Sequence, residues 1–283
     1  MITLTTIIYD GNFKNILRDD SWFLNFKSKY VTKKRLNVNN ILNKNEFEEY
    51  VNNMREKGFE FEIVYVDDLI DEANQYFNLN IHRNTLGFNY SIPYFTDILS
   101  ISTPYMWNVA SDCQLDIRVS DDFFEKSIKL LEGDNLYPFT VLSWEEPWSD
   151  PIKRKQMDSI SPIFANCDSV GEWEQRGNQK YTEDKALEDF WCSWKFADHC
   201  FIGKLDKLKN INYTLRGNAP WYAENIMPYA GLNAFEYMVT EYLASVGVFR
   251  AIYKSETDYY KHDKDSIITE HYSLIDKNKT QVI

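Results

Sequence analysis

Four polar pairs punctuate the first part of this 283-residue chain: Tyr9-Asp10, Asn39-Asn40, Asp67-Asp68 and Ser111-Asp112, the last followed by Asp116. Each closes an apolar, β-branched or aromatic run, as in "YMWNVASDCQLDI" at 105–117. Oxygen-bearing side chains at strand ends have two chemical uses. They cap the next turn or helix by accepting backbone N–H bonds, or they hold a hard divalent cation that neutralises a substrate phosphate. Four such ends in succession point to the carboxyl edge of an open parallel sheet, where folds of that kind bind ligands. No GxGxxG follows the first strand, and neither GxxxxGK[ST] nor GxSxG occurs anywhere. A dinucleotide-binding oxidoreductase, a P-loop nucleotidase and an elbow-type hydrolase are therefore disfavoured. What remains for such carboxylates is a cation and a substrate diphosphate, the chemistry of a sugar-nucleotide enzyme.

The elements that must position these tips alternate regularly. "ITLTTIIY" reads as a buried strand and "KRLNVNNI" as a second. "NEFEEYVNNMREKG" predicts a helix capped by Asn45, with Phe47, Tyr50, Val51 and Met54 on one face and Gly58 at its stop. "FEFEIVYVDD" is the next strand, and Asp67 and Asp68 are placed to cap a helix from Leu69 through "IDEANQYF". The helix "IPYFTDILSIS", the strand "YMWNVAS", a helix capped by Ser120 and stopped by Gly133, and the strand "PFTVLSW" continue the rhythm. It predicts an α/β fold, a mostly parallel sheet flanked by helices on both faces. Beyond 144 a Pro-, Trp- and Ser-rich stretch predicts a long, irregular, ordered excursion. "CFIGKL", "LDKLKN", the helix "LNAFEYMVTEYLASVG", the strand "FRAIYK" and a polar tail follow.

Composition bounds the partners. Hydrophobic residues make up 44% and aromatics 16%, enough for a substantial core. The formal charge of −12 argues against a nucleic acid polymer, since the dense basic residues are confined to "KYVTKKR" at 29–35. Cys113, Cys167, Cys192 and Cys200 show no CxxC or metal-finger spacing and read as buried thiols of a reducing compartment. With no leader-like start and no transmembrane run of eighteen apolar residues, the expectation is a cytoplasmic protein.

The order of "TLTTIIYDGNF", "KRLNVNNI", "FEIVYVDD" and "YMWNVASDC" resembles the nucleotide half of GT-A fold glycosyltransferases, and "CFIGKLDKL", "YAGLNAFEYM" and "YYKHD" resemble the acceptor half. The resemblance spans roughly residues 1–265. It implies a single GT-A-like (Rossmann-like) domain with a nucleotide-sugar-binding half at 1–118, an acceptor-binding half at 119–265 and a tail at 266–283. It also implies transfer of a hexosyl or pentosyl unit from a UDP- or GDP-linked sugar donor to the hydroxyl of a glycan or glycolipid acceptor, with inversion. The family's DxD motif maps onto Ala110-Ser111-Asp112, so Ala110 stands where the first acid belongs and Asp112 where the second does. By the same mapping Asp112 and His262 ligate a divalent metal, Mn2+ or Mg2+, whose contribution the missing acid weakens; Asp116 is a substitute ligand or a solvated turn residue. Glu236, at the start of a helix, takes the place of the general base, with Glu224 its competitor.

Thr6, Tyr9 and Asp10 fall where this fold contacts the nucleotide, Tyr9 as a base-stacking ring. Asn39, Asn40 and Asp67 are placed for ribose or base edges, and Ser111 for the diphosphate. Gly203 in "FIGK" would let the backbone approach a sugar. Trp144, Trp148 and Trp173, near Glu145 and Glu146, form either a sugar platform or the pins of an irregular loop. Two other readings stay open: a sugar nucleotidyltransferase, for which "YDGNFKNILRDD" offers only Gly11 and Arg18 of a Gly/Arg-rich signature, and a catalytically silent carbohydrate-binding protein.

Overall fold

In a computed structural model of the chain, the structure describes residues 1–113, 117–133, 137–144, 188–193, 196, 198–215, 231–246, 248, 250–255 and 257–260. Eleven strands occur among them: β1 Ile2–Ile8, β2 Val31–Val38, β3 Glu62–Tyr65, β4 Tyr105–Val109, β5 Ile117–Arg118, β6 Phe139–Val141, β7 Ser143–Trp144, β8 Phe190–Ser193, β9 Cys200–Lys204, β10 Arg250–Tyr253 and β11 Tyr259–Tyr260. The helices are α1 Phe13–Ile16, α2 Trp22–Asn25, α3 Lys44–Glu56, α4 Ile70–Phe77, α5 Ile92–Ser100, α6 Asp121–Gly133, α7 Leu205–Lys209 and α8 Phe235–Val246. No described helix is long and apolar enough to cross a membrane.

Eight strands form one sheet in the order β3-β2-β1-β4-β9-β6-β10-β8. The contiguous parallel block is β3-β2-β1-β4, and β9 enters it antiparallel, with all five residues of β4 paired to β9. β6 and β10 run parallel to each other, and β8 closes that edge antiparallel. The mostly parallel sheet expected from the alternation is thus present, with two reversed strands. A second sheet of three short strands, β5-β11-β7, lies outside it.

The period-2 pattern of the strands divides the core into two layers. On one face Ile2, Leu4, Ile8, Leu36, Trp107 and Ile202 pack with the apolar stripes of α1, α2, α3 and α6. On the other, Met106, Phe139, Phe201 and Ile252 pack with those of α4, α5, α7 and α8. Trp107 is fully buried and meets Trp22, Phe26 and Phe124 edge-on at centroid distances of 5.6, 5.1 and 4.8 Å. Helices therefore cover both faces, which a parallel block with hydrophobic sides requires.

Several local expectations are corrected. β2 begins at Val31 and ends at Val38, earlier than "KRLNVNNI" implied, because Asn40 adopts a left-handed backbone (φ 62°) that cannot continue a strand. Asn43, not Asn45, caps α3, its side chain accepting the Glu46 N–H at 3.2 Å. Gly58, with φ 87°, ends that helix as expected. Asp67 and Asp68 do not cap α4: they belong to a single 3-10 turn, Val66–Asp68, and Leu69 occupies the cap position with no side-chain bond. "PFTVLSW" divides at Leu142, β6 joining the main sheet and β7 the small one. The irregular excursion falls at 145–187, outside the described residues, and β8 just beyond it was not expected.

Candidate functional site

Four parallel strands present their carboxyl ends along one edge, and each sequence-predicted tip can be located there. β1 ends in a tight turn in which the Tyr9 carbonyl accepts N–H bonds from Asn12 (3.0 Å) and Phe13 (3.1 Å). The Asn12 side chain closes that turn, accepting the Tyr9 N–H at 2.8 Å, and reaches sideways to donate to Ser111 Oγ at 2.6 Å. Asn12 thus ties the end of β1 to the 3-10 turn Ser111–Cys113 that follows β4. From the other side, the Ala110 N–H donates to the His199 carbonyl at 2.7 Å, ahead of β9, and Asn108 Nδ2 donates to the Asp198 carbonyl at 2.7 Å. The turn carrying Ser111 and Asp112 is fixed on both flanks by groups distant in sequence.

Asp10 and Asn39 are largely consumed by the scaffold. Asp10 Oδ1 accepts the Leu42 N–H at 3.0 Å, fastening the β1 loop to the β2 loop, as a turn-stabilising aspartate does. Asn39, 3% exposed, donates from Nδ2 to Asn89 Oδ1 at 3.1 Å and accepts at Oδ1 from Arg83 Nη1 at 3.0 Å. Asp67 stands in the open and pairs with the same guanidinium, Arg83 Nε donating to its Oδ1 at 2.7 Å. Thr6 is completely buried within β1. Gly203 sits mid-strand in β9, paired with Met106 and Phe139; a side chain there would meet Leu208 Cδ1 at 2.5 Å, so Leu208 of α7 fills the space that glycine leaves.

Glu236 lies in the first turn of α8, 9% exposed, where the unpaired N–H groups of the helix start favour a negative charge. Its position is set by two contacts from the other half of the fold. Tyr94 of α5 stacks on Phe235 with ring centroids 4.7 Å apart and planes 11° from parallel, and Asn233 Nδ2 donates to the Leu86 carbonyl at 3.0 Å.

Tyr260, in β11, is buried. β11 holds it by pairing with Ile117 of β5 and Trp144 of β7, and its ring lies 6.3 Å from that of His199. Burial holds its phenol protonated well above the ordinary range, and the neighbouring Cys113, Cys200 and Glu236 add to this while Arg250 opposes it. The Tyr260 hydroxyl is therefore in the field of both the β4 turn and the α8 carboxylate. Cys113 and Cys200 are buried and belong to no disulfide; burial pushes Cys200 up to about 12, which leaves it unreactive.

Among the described residues no cluster of three or more His, Cys, Asp or Glu side chains could hold a metal ion. The Asp112 side chain, Asp116, Glu224, His262, Trp148, Trp173, Glu145, Glu146 and the side chain of Trp144 lie outside the described residues, His262 two positions beyond Tyr260. Sequence reasoning passed over Asn12, Arg83 and Tyr260. Asn12 had a signal, an amide directly after Asp10-Gly11 where turns bond their own backbone; Arg83 and Tyr260 acquire their partners only through tertiary contacts.

No family model matches the chain and no curated protein matches it. Among solved structures, that of GalNAc-T7 with UDP, GalNAc and Mn2+ superimposes with a TM-score of 0.52 at 8% identity, over 93% of this chain and 43% of that one. Glucosyl-3-phosphoglycerate synthase from Mycobacterium tuberculosis in complex with Mg2+ and UDP gives 0.46 at 8% identity, over 93% and 72% of the two chains. Mouse xyloside xylosyltransferase 1 in its apo form gives 0.43 at 11%, over 87% and 82%. At such identities the likeness to GalNAc-T7 speaks for the fold alone, and by that fold the chain is a GT-A-like α/β protein, a mostly parallel sheet with helices on both faces.

Proposed function

We propose that this protein is a glycosyltransferase that moves a sugar from a nucleoside diphosphate sugar to an acceptor hydroxyl, with inversion. The observation that carries the reading is the Ser111–Cys113 turn after β4, braced at the carboxyl edge of a GT-A-like sheet by the Asn12 side chain and the His199 carbonyl, together with an acid, Glu236, buried in the first turn of α8. The GalNAc-T7 structure of like fold holds UDP, GalNAc and Mn2+, which makes a UDP-linked donor the first choice, with GDP-linked donors as the alternative.

In this reading the donor diphosphate lies against the Ser111–Asp112 turn, which Asn12 braces from the β1 side. Glu236 accepts the proton of the acceptor hydroxyl as that oxygen attacks the anomeric carbon; the bond to the diphosphate breaks with its electron pair, and the nucleoside diphosphate leaves. Burial of Glu236 excludes competing water from the base. Asp112 and His262 are the residues that would hold a Mn2+ or Mg2+ ion. A carboxylate and an imidazole are donors such a cation would accept, and Ala110 offers no further ligand. Such an ion would neutralise charge on the departing diphosphate. Glycans and glycolipids are the acceptor classes that this chemistry serves.

The test is release of nucleoside diphosphate from a panel of UDP- and GDP-sugars with and without Mn2+. Glu236→Gln is expected to lower kcat by about 100- to 10,000-fold while keeping the thermal stabilisation by UDP or GDP. Full activity in that variant would remove Glu236 as base. A native chain stabilised by free sugars and by no nucleotide would instead favour the carbohydrate-binding reading.

A further inference from the structure

β3 ends the main sheet: β2 pairs with one side of it, and no described residue pairs with the other. Open edges invite a further strand, and proteins usually blunt them with lysine, proline or a bulge. β3 has none of these. It reads Glu-Ile-Val-Tyr without a break in its register to β2, and its single charge is neutralised by Lys33 and Arg35, each 3.0 Å from the Glu62 carboxylate. α3 lies alongside and leaves a groove of about 300 Å³ against the strand, floored by Val51, Ile63 and Tyr65, with Glu48 and Arg55 on its walls. The Arg55 guanidinium lies 5.5 Å from the centre of the Phe61 ring, just ahead of β3. Glu48 acts at the other end, on the Tyr65 phenol, which burial raises and this carboxylate raises further. Both charged residues are exposed, and neither makes an ion pair among the described residues.

We propose that β3 is a dimerisation edge, pairing antiparallel with β3 of a second copy of this chain about a two-fold axis, so that the two main sheets become one. An axis perpendicular to the sheet keeps α3 on the same face in both copies. Directly opposed residues must then share a face, because side chains alternate along a strand. Phe61, Ile63 and Tyr65 all pack on the α3 side. Centring the axis on Ile63 sets each Phe61 against the partner's Tyr65, and with it each Arg55 against the partner's Glu48. The two spacings agree: α3 rises about 10.5 Å from Glu48 to Arg55, and the strand spans about 13 Å from Phe61 to Tyr65. The surface is thus complementary to itself, which singles out a second copy over an unrelated chain. In a protein of net charge −12 it is also a place where two copies meet without excess negative charge. The axis turns the two carboxyl edges to opposite sides, so each candidate site stays open. The inference goes beyond the glycosyltransferase reading and does not depend on it.

The test is the mass of the full chain in solution, by sedimentation equilibrium over a concentration series, with charge reversal at the two ends of the groove. The native chain is expected to dimerise. Glu48→Lys and Arg55→Glu each bring like charges together twice across the axis and are expected to weaken dimerisation about tenfold or more. The double variant restores opposite pairs and should return to within about threefold of the native constant. Hydrogen exchange gives a second reading: the amides of 62–65 should be protected in the dimer and exchange faster in either single variant. A native chain that stays monomeric overturns the proposal, and protection of those amides in the monomer would show that the chain covers its own edge. A dimer indifferent to both single reversals overturns it too, because the contact then lies elsewhere. So does association that continues past two copies, since a two-fold pairing closes. Release of nucleoside diphosphate is expected to be the same in every variant, so failure of the dimer leaves the proposed activity untouched.

Discussion

Asp97 shows how a single residue couples this fold to pH. It lies on α5 beneath the sheet, 1% exposed, accepting the Thr5 hydroxyl at 2.6 Å, with Arg35 Nη1 3.6 Å away. Burial raises its carboxyl from the ordinary 3.8 to about 6, and Arg35, Thr5 and Asn37 only partly offset this. A folded-state value above the unfolded one means that the native chain binds the extra proton. The stability from this group is therefore full below 3.8 and lost as pH rises through about 6. A shift of that size corresponds to roughly 3 kcal/mol. Urea unfolding stepped across that window should show native stability falling with pH from this source, and Asp97→Asn should flatten that part of the profile. An unchanged slope in the variant would refute the assignment. Asp97 is remote from the tips, so this dependence should appear in stability and not in the nucleotide affinity of the folded protein. At the candidate site the corresponding single-residue test is Glu236→Gln, which separates chemistry from nucleotide binding.

At the scale of elements, the junction of β9 and α7 has little room to adjust. β9 runs antiparallel between β4 and β6, and α7 begins at the residue after its last, so α7 must fold back against the strand. That return places Leu208, itself fully buried, against Gly203, where an added Cβ would lie 2.5 Å from Cδ1, 3.1 Å from Cγ and 3.2 Å from Cδ2. The whole isobutyl group would have to move, so Gly203→Ala is expected to cost about 1–3 kcal/mol through overpacking. Chemical denaturation measures it, and Gly203→Ala combined with Leu208→Ala should recover part of the loss that the alanine at 203 causes. No recovery would show that the glycine is needed for some other reason, such as the approach to a sugar that the resemblance implied. The element pattern was legible where periodicity was strong, as in α3, α5 and α8. Boundaries went astray where backbone geometry intervened: Asn40 at φ 62° ends β2, and the turn at 66–68 takes the two aspartates away from the α4 cap.

For the whole molecule, the continuity of the main sheet decides how the two halves depend on each other. β1 to β4 come from residues 1–118, whereas β9, β6, β10 and β8 come from later segments and extend the same sheet across β4. All five residues of β4 are buried and paired with β9, so cutting there exposes an apolar edge strand, a template for aggregation. Segments 1–118 and 119–283 expressed separately are expected to be insoluble or to lack a cooperative thermal transition, and co-expression to restore a soluble pair. A monomeric, cooperatively melting 1–118 fragment would show that the first half folds alone.

The sequence by itself determined the alternation of strand and helix, the apolar faces that build two core layers, the polar strand ends and the acid at the start of α8, because each of these is written in local composition and periodicity. The tertiary structure alone decided what those polar groups do. Asp10 and Asn39 bond to loops and side chains more than thirty residues away, Ser111 is held by Asn12 across ninety-nine positions, and Asp67 answers to Arg83. Tyr260 is placed by β11, which joins β5 and β7 from segments more than a hundred positions away. The physical reason is that a side chain's hydrogen-bonding capacity is a local property, whereas its partner is chosen by chain topology, which brings distant segments to one edge of the sheet.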